Sequence, residues 1–332
     1  MNDDRGSVMI VFAAFVVAAV GMIALVTDVG ASRDARARLI TSTDAAALAA
    51  AQDYADGENG CNADENDDGV VAADEMSVAE RRMLANSGNA VMDFCGVTAG
   101  TAGGSNIVTV SAHEEISYLF GPVFGDDAGT SYSSTSVVYG RPLSVPGLKP
   151  LGLCYDMPQI LDWQSKGYPS PSQEYTIYFE GNIGVCGDPA GNWGLLDFNG
   201  GANTTPEFND WMADGYPEPV VIGQPVPGKP GVPSGGKDVE IAVGTVIHLP
   251  VISYESGSGQ NTIYRVVGFI EGELTHVQDS GTESDRHIKM RFHKNTVRGT
   301  CCADGPPGSP ETNYYGLVSF QICGTDNDTS NC

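Results

Sequence analysis

Residues 8–27 read VMIVFAAFVVAAVGMIALVT, twenty positions without a charge. At the 1.5 Å rise of an α-helix such a run reaches about 30 Å, the thickness of a bilayer's hydrocarbon layer. Arg5 precedes it, Asp28 closes it, and VGASRDARARLITSTDAAALAAAQDYA then continues with helix formers and no proline to about Ala55. The stretch predicts one continuous helix of roughly 70 Å. Its first half is apolar on every side, so it needs lipid or sister helices around it. Two fates of the run stay open. Val29 and Ala31 stand where the small residues of a signal-peptide cleavage site would precede Ser32. Against that, twenty residues exceed the usual signal core of about 7–15, and an uncleaved anchor is expected. Ala14, Ala18 and Gly21 share one helix face, where a second helix could approach closely.

Downstream, residues 64–75 read DENDDGVVAADE. They satisfy the calcium-loop pattern D-x-[DN]-x-[DN]-G-x5-E over its full length. Asp64, Asn66 and Asp68 would present oxygens at alternate positions, Gly69 would permit the sharp turn, the Val70 carbonyl would add a ligand, and Glu75 would close the shell bidentately. Calcium is thus the expected ion. The bland counterpart is an acidic solvated loop, common in an Asp-rich chain. Ser77-Val78-Ala79-Glu80 is a capping-box sequence and starts a predicted helix from Ser77 to Met92.

The balance of 17 Lys+Arg against 42 Asp+Glu, a formal charge of −25, argues against nucleic-acid partners. Eight cysteines, Cys61, Cys95, Cys154, Cys186, Cys301, Cys302, Cys323 and Cys332, form an even set without a C-x-x-C pair. Disulfides, and with them a compartment outside the cytoplasm, fit this set better than buried free thiols. Nearest-neighbour pairing would join Cys61 to Cys95 and Cys154 to Cys186 and leave the last four to pair among themselves. The positive-inside rule alone would put the bulk of the chain in the cytoplasm, because Arg33, Arg36 and Arg38 follow the apolar run. The cysteines and the calcium loop outweigh it.

From Asn106 the pattern becomes short and alternating. NIVTVSA, TSYSSTSVVYG, EYTIYFE, PVVIG, GTVIHLPVISY, NTIYRVVGFIEGELTHV, RHIKMRF and YGLVSFQIC read as strands between Gly, Pro and Asp breaks. An antiparallel sandwich or barrel is expected, with GQPVPGKPGVPSGGK as a Pro/Gly-rich loop or linker. The fold class is therefore α+β. A long hydrophobic helix occupies residues 1–56, an EF-hand-like calcium loop and helix 57–100, a β segment 101–145, and a disulfide-braced β-rich domain 146–332.

The stretch RGSVMIVFAAFVVAAVGMIALVTDVGASRDARARLITSTDAAALAAA, residues 5–51, resembles the N-terminal signature of TadE/TadG-like proteins of tight-adherence pilus systems. Arg5-Gly6 before the helix, Asp28 at the close of the span and Asp44 before an alanine run carry the likeness. Processed pilins of the wider class place a glutamate five residues after the cleavage glycine, and Val11 stands there in this chain. The resemblance implies a structural or assembly component of a pilus, with no catalysis. Its partners would be membrane lipid or other copies of the helix together with pilus-machine proteins. It would sit in the bacterial inner membrane with a periplasmic or extracellular exterior, or in a cell-surface filament. A membrane-tethered adhesin is the alternative.

Catalytic patterns do not converge. Gly231 to Lys237 fits G-x-x-x-x-G-K, but Asp238 stands where a P-loop needs Ser or Thr. His113, His248, His276, His287 and His293 have no metal-ligand spacing, and ESGSGQ lacks the first glycine of a nucleophile elbow. No enzyme activity is expected.

Overall fold

The computed structural model describes residues 5–62, 76–100, 104–123, 125–178, 186, 192–200, 205–230, 242–278, 286–303 and 313–325. Two compact units divide the chain, and the long apolar helix followed by a β-rich, disulfide-bearing exterior makes it α+β. The first unit comprises residues 1–98, 107–137 and 322–332, the second residues 99–106 and 138–321.

In the first unit, α1 (Arg5–Asp56) runs unbroken for 52 residues, about 78 Å at the standard rise. Helix α2 (Val78–Asn86) packs on its C-terminal half, where Ala46, Ala47, Ala50 and Ala51 are fully buried, as are Ala79 and Met83 of α2. Alanine at these positions lets the two backbones come close. Gly60 extends the logic, since a Cβ there would lie 2.6 Å from the Ala50 Cα. Its carbonyl is free to accept from the Ala79 N–H at 3.2 Å. Ser77 caps α2 by accepting from the Glu80 N–H at 3.1 Å, as the capping sequence predicts. The helix ends at Asn86, short of the expected Met92. A Ser87-Gly88-Asn89 turn intervenes and β1 (Ala90–Ala99) begins with the β-favouring VMDF stretch. The Cys61–Cys95 disulfide, Cα atoms 5.5 Å apart, ties the end of α1 to this strand.

Strands β2 (Asn106–Ser117) and β3 (Ala128–Gly140) follow. Hydroxyl pairs Thr109–Ser136 at 2.9 Å and Ser111–Ser134 at 2.8 Å link their side chains on one face. That register sets Val110 opposite Thr135 and Ala112 opposite Ser133 on the other face, which meets α1.

The second unit holds a seven-stranded sheet. Its elements in chain order are β4 (Pro142–Val145), β5 (Leu153–Cys154), α3 (Pro158–Ser165), β6 (Glu174–Tyr178), β7 (Asn192–Leu196), α4 (Thr205–Asp214), β8 (Val220–Val221), β9 (Pro225–Pro230), β10 (Val246–Ser256), β11 (Ile263–Gln278), β12 (His287–His293), β13 (Asn295–Thr296), β14 (Thr300–Cys301) and the first residues of β15 (Leu317–Thr325), whose part from Ile322 onward belongs to the first unit. The main path is β5-β10-β11-β12-β6, with β9 pairing both β11 and β7, and β14-β4-β8 form a smaller sheet. The expected antiparallel sandwich or barrel is thus a mixed arrangement, because β5 pairs β10 in parallel and β13 pairs β15 in parallel.

Two features depart from the sequence reading. PVPGKP, expected as loop, forms β9, with Pro227 opposite Ile263 and Val226 opposite Tyr264. The prolines lack N–H groups, and the strand bonds through what remains: the Pro227 carbonyl accepts from the Asp197 N–H at 2.9 Å and the Gly228 N–H donates to the Thr262 carbonyl at 2.8 Å. Helices α3 and α4 were not expected either. Each buries a short aromatic stripe, Ile160 and Trp163 in α3, and Phe208, Trp211 and Met212 in α4.

The core of this unit centres on Trp163, whose ring lies 5.2 Å from Phe292 and 5.3 Å from Tyr168. Gly316 has φ +86, and a side chain there would meet the Trp163 ring. The Cys154–Cys186 bridge closes the β5 edge, and Cys301 is joined to its neighbour Cys302. Cys323 is also disulfide-bonded.

The opposite face of the sheet carries charge. Glu271 is buried at 3% exposure between a His248 ring nitrogen at 2.9 Å and the Asn295 side-chain amide at 3.0 Å. Burial opposes its ionisation, but the hydrogen bonds from His248 and Asn295 and the nearby charge of His248 and His293 outweigh it, so its carboxyl is held below the ordinary 4.5. A lowered folded value gives stability that is complete above the ordinary value and is lost as pH falls through the folded one. Acid titration of thermal stability should therefore show a loss below about pH 4.5 in the native chain. That limb should be shallower in Glu271→Gln, and identical limbs would refute the assignment.

Candidate functional site

The candidate site is α1 itself, together with the loop that meets it where the apolar run ends. Along one helix the environment changes abruptly. Val11, Phe12, Phe15, Val17, Val20, Met22, Ile23, Leu25 and Val26 are more than half exposed, and their positions point in every direction around the axis. From Ala35 onward a buried stripe appears at helical spacing, with Ala35, Leu39, Ser42, Thr43, Ala46, Ala47, Ala50 and Ala51 in the unit's interior. The helix is long and apolar enough to cross a membrane, with a mean hydropathy of 2.3 in its most apolar window. A bare surface of this size costs roughly 25 cal/mol per Å² of apolar area while it faces water, far more than scattered surface residues incur.

A polar lock fixes the packed half. The Thr135 hydroxyl, fully buried, approaches the Asp44 carboxylate at 2.7 Å and the Thr43 hydroxyl at 3.0 Å. Thr43 also lies 3.0 Å from the Ser133 hydroxyl and bonds the Ile40 carbonyl at 3.0 Å. The run of small hydroxyl residues in β3 thus serves a purpose the strand pattern alone did not reveal. It offers hydrogen bonds to a helix whose facing residues are also polar, so both sets of buried groups are satisfied. Thr135→Val keeps the shape and removes the bonds. It should lower stability by about 1–3 kcal/mol in chemical denaturation, because Asp44 and Thr43 are left short of a partner. An unchanged midpoint would show that the lock contributes nothing.

At the boundary between bare and packed halves sits Asp28. Its carboxylate accepts the backbone N–H of Leu119 at 3.0 Å and that of Phe120 at 3.2 Å. The loop between β2 and β3 is thereby pinned to the helix at the level where the charge-free run stops. Leu119 and Val123 in this loop are 71% and 78% exposed, which places two apolar side chains beside the end of the apolar run. An open cavity of about 570 Å³ lies here, lined by Ala24, Leu25, Asp28, Val29, Ser32, Arg33, Arg36, Tyr118, Gly121 and Asp126. Arg38 is paired with Asp34 one turn back along the helix. Sequence reading assigned Asp28 to the close of the span but gave no sign that a loop ninety residues later would use it as an acceptor.

That long, half-bare helix coincides with a known family signature. Residues 6–53 match the family described as Putative Flp pilus-assembly TadE/G-like. They form a TadE/G-like segment. The segment spans the bare stretch, the Asp28 junction and the alanine-rich stripe, and ends three residues before α1 does. The Asp44 and AAALAAA portion of the TadE/G-like segment therefore lies within the packed helix, with Asp44 in the polar lock. No curated protein and no solved structure matches the chain.

The TadE/G-like segment suggests a role related to Tad pilus assembly, and the apolar helix is consistent with a membrane or envelope location. Asp64, Asn66, Asp68, Val70 and Glu75, the expected calcium ligands, lie outside the described residues, as does the P-loop-like Gly231 to Lys237 stretch. Among the described residues one grouping has metal-ligand proximity, Cys154, Asp156 and Cys186. Both of its sulfurs are spent in a disulfide, which leaves the Asp156 carboxylate alone as a donor.

Proposed function

We propose that the chain is a structural or assembly component of a Tad-type pilus or pilin-like surface filament, held by its N-terminal helix, with its two folded units outside the cytoplasmic membrane. The single observation that carries this reading is the change along α1 from a bare apolar surface to a packed stripe within one unbroken helix. A packed half fastens the folded exterior. A bare half must be covered by hydrocarbon or by equivalent helices from other copies. The disulfides of both units support an oxidising compartment.

Fractionation of native cells tests the reading. The protein should resist alkaline carbonate extraction from membranes or appear in sheared surface material as filaments by electron microscopy. Dispersed particles that remain membrane-bound and agglutinate cells would favour a tethered adhesin, and a soluble monomer lacking residues 8–27 would overturn both.

Calcium belongs to the same proposal. With extracellular-type affinity near 10⁻⁴ M, about 1 mM Ca²⁺ would add roughly 1.4 kcal/mol to the stability of the first unit. Chelation should lower the melting temperature, and Asp64→Asn with Glu75→Gln should abolish the difference. Equal melting of the native chain with calcium or chelator would remove calcium from the proposal.

A further inference from the structure

We propose that the cavity beside Asp28 binds the head group of a phospholipid bearing both a phosphate and a primary ammonium, of the phosphoethanolamine type. This rests on the reading of α1 as membrane-embedded through its bare half. The lining falls into two chemical parts. Ala24, Leu25 and Val29 are apolar and continue the surface of the charge-free run. Ser32, Arg33 and Arg36 follow on the same side of the helix, at steps of three and four residues from Val29. From Leu25 to Arg36 the helix rises about 16 Å, enough for a glycerol and its first methylenes below and a head group above.

The charges divide in a way that suits a zwitterion. Arg33 and Arg36 both line the cavity, and the donor geometry of a guanidinium matches phosphate oxygens. Asp126 supplies a carboxylate on the loop side of the cavity, and it is an exposed side chain. Asp28 adds negative charge, though its oxygens already take two backbone N–H groups. A purely anionic head group would leave Asp126 facing its glycerol end. A trimethylated ammonium would be too bulky, and unable to donate hydrogen bonds, for close approach to a carboxylate.

Placement supplies a second argument. Leu119 and Val123 stand exposed on the loop that forms one wall, at the level where α1 leaves its charge-free stretch. Apolar loop tips beside an apolar helix end mark the depth at which lipid head groups begin. Arginines at this level, in a chain of formal charge −25, lie where a phosphate layer would meet them. Tyr118, partly buried on the same loop wall, adds the kind of amphipathic ring that interfaces favour.

The full-length protein reconstituted in nanodiscs of equal phosphatidylethanolamine, phosphatidylglycerol and phosphatidylcholine tests the inference. Lipids that stay with the protein after mild detergent exchange are counted by mass spectrometry. The native chain should retain phosphatidylethanolamine several-fold above its share. Arg33→Gln with Arg36→Gln should bring all three lipids to parity, whereas Asp126→Asn should erase the preference for phosphatidylethanolamine over phosphatidylglycerol while retention above phosphatidylcholine persists. No selectivity in the native chain, or unaltered selectivity in the arginine variant, would overturn the inference. So would loss of retention on adding millimolar inorganic phosphate without any head-group preference. Reconstitution itself reports separately on the anchor, because a chain that enters nanodiscs without selectivity sinks the lipid site and leaves the embedded helix intact.

Discussion

Val17→Arg combined with Val20→Arg should release the protein from the membrane or filament fraction while the folded exterior keeps its melting temperature. Both residues are exposed, Val17 at 72% and Val20 at 53%, and they lie within the charge-free run. Each arginine near the centre of a span costs about 2.5–3.5 kcal/mol on insertion scales, so the pair costs about 5–7 kcal/mol. Close packing among sister helices would be opposed as strongly, since two buried unpaired charges have no partner in an all-apolar run. The exterior is spared because these side chains touch nothing in it. Extraction by carbonate, sedimentation and a thermal melt of the same preparations check all three parts. Retention equal to the native chain would mean that residues 8–27 are not what holds it.

Trp163→Ala should have the largest effect on the second unit. The ring is fully buried against Phe292 and Tyr168, and its Nε1–H donates to the Pro169 carbonyl at 2.9 Å. Truncating a buried tryptophan costs about 3–5 kcal/mol through lost burial and the cavity left behind. For a unit of this size that corresponds to a melting-temperature drop of about 10 °C. Trp163→Phe, which keeps most of the contact area and loses the hydrogen bond, should fall between the two. A drop of less than about 2 °C for Trp163→Ala would show that the core does not depend on this ring.

Legibility in the sequence followed the physics of each feature. The long helix was readable because twenty uncharged residues and an alanine-rich continuation are local signals that no tertiary contact overrides. Most strands were readable for a similar reason: EYTIYFE, RHIKMRF and YGLVSFQIC alternate or run apolar between breakers, and β6, β12 and β15 form there. The Cys61–Cys95 and Cys154–Cys186 pairs agree with nearest-neighbour pairing. Strand β9 was hidden because proline suppresses the local β signal, and its partners, Ile263 to Arg265 of β11 and the Asn192–Leu196 strand β7, lie about thirty residues away on either side. Helices α3 and α4, 8 and 10 residues long, are too short for periodicity to stand out, and their aromatic stripes count only once a sheet is there to receive them. The polar lock and the Asp28 junction were invisible for another reason. Both join α1 to residues about ninety positions away, and a hydrogen bond between distant residues leaves no pattern in either segment.

No proline interrupts α1 from Arg5 to Asp56, and the same rigid rod that is bare at one end is clasped at the other by Thr135, Ser133 and the Gly60 contact. Tension applied at the N-terminal end would therefore travel axially into the β2–β3 layer without a hinge to absorb it. Any tug on the anchored tip would be resisted in shear by the hydroxyl ladder, with the Cys61–Cys95 crosslink as the covalent stop behind it. The β2–β3 layer would move with its stalk as one strut, and would not swing from it as from a tether.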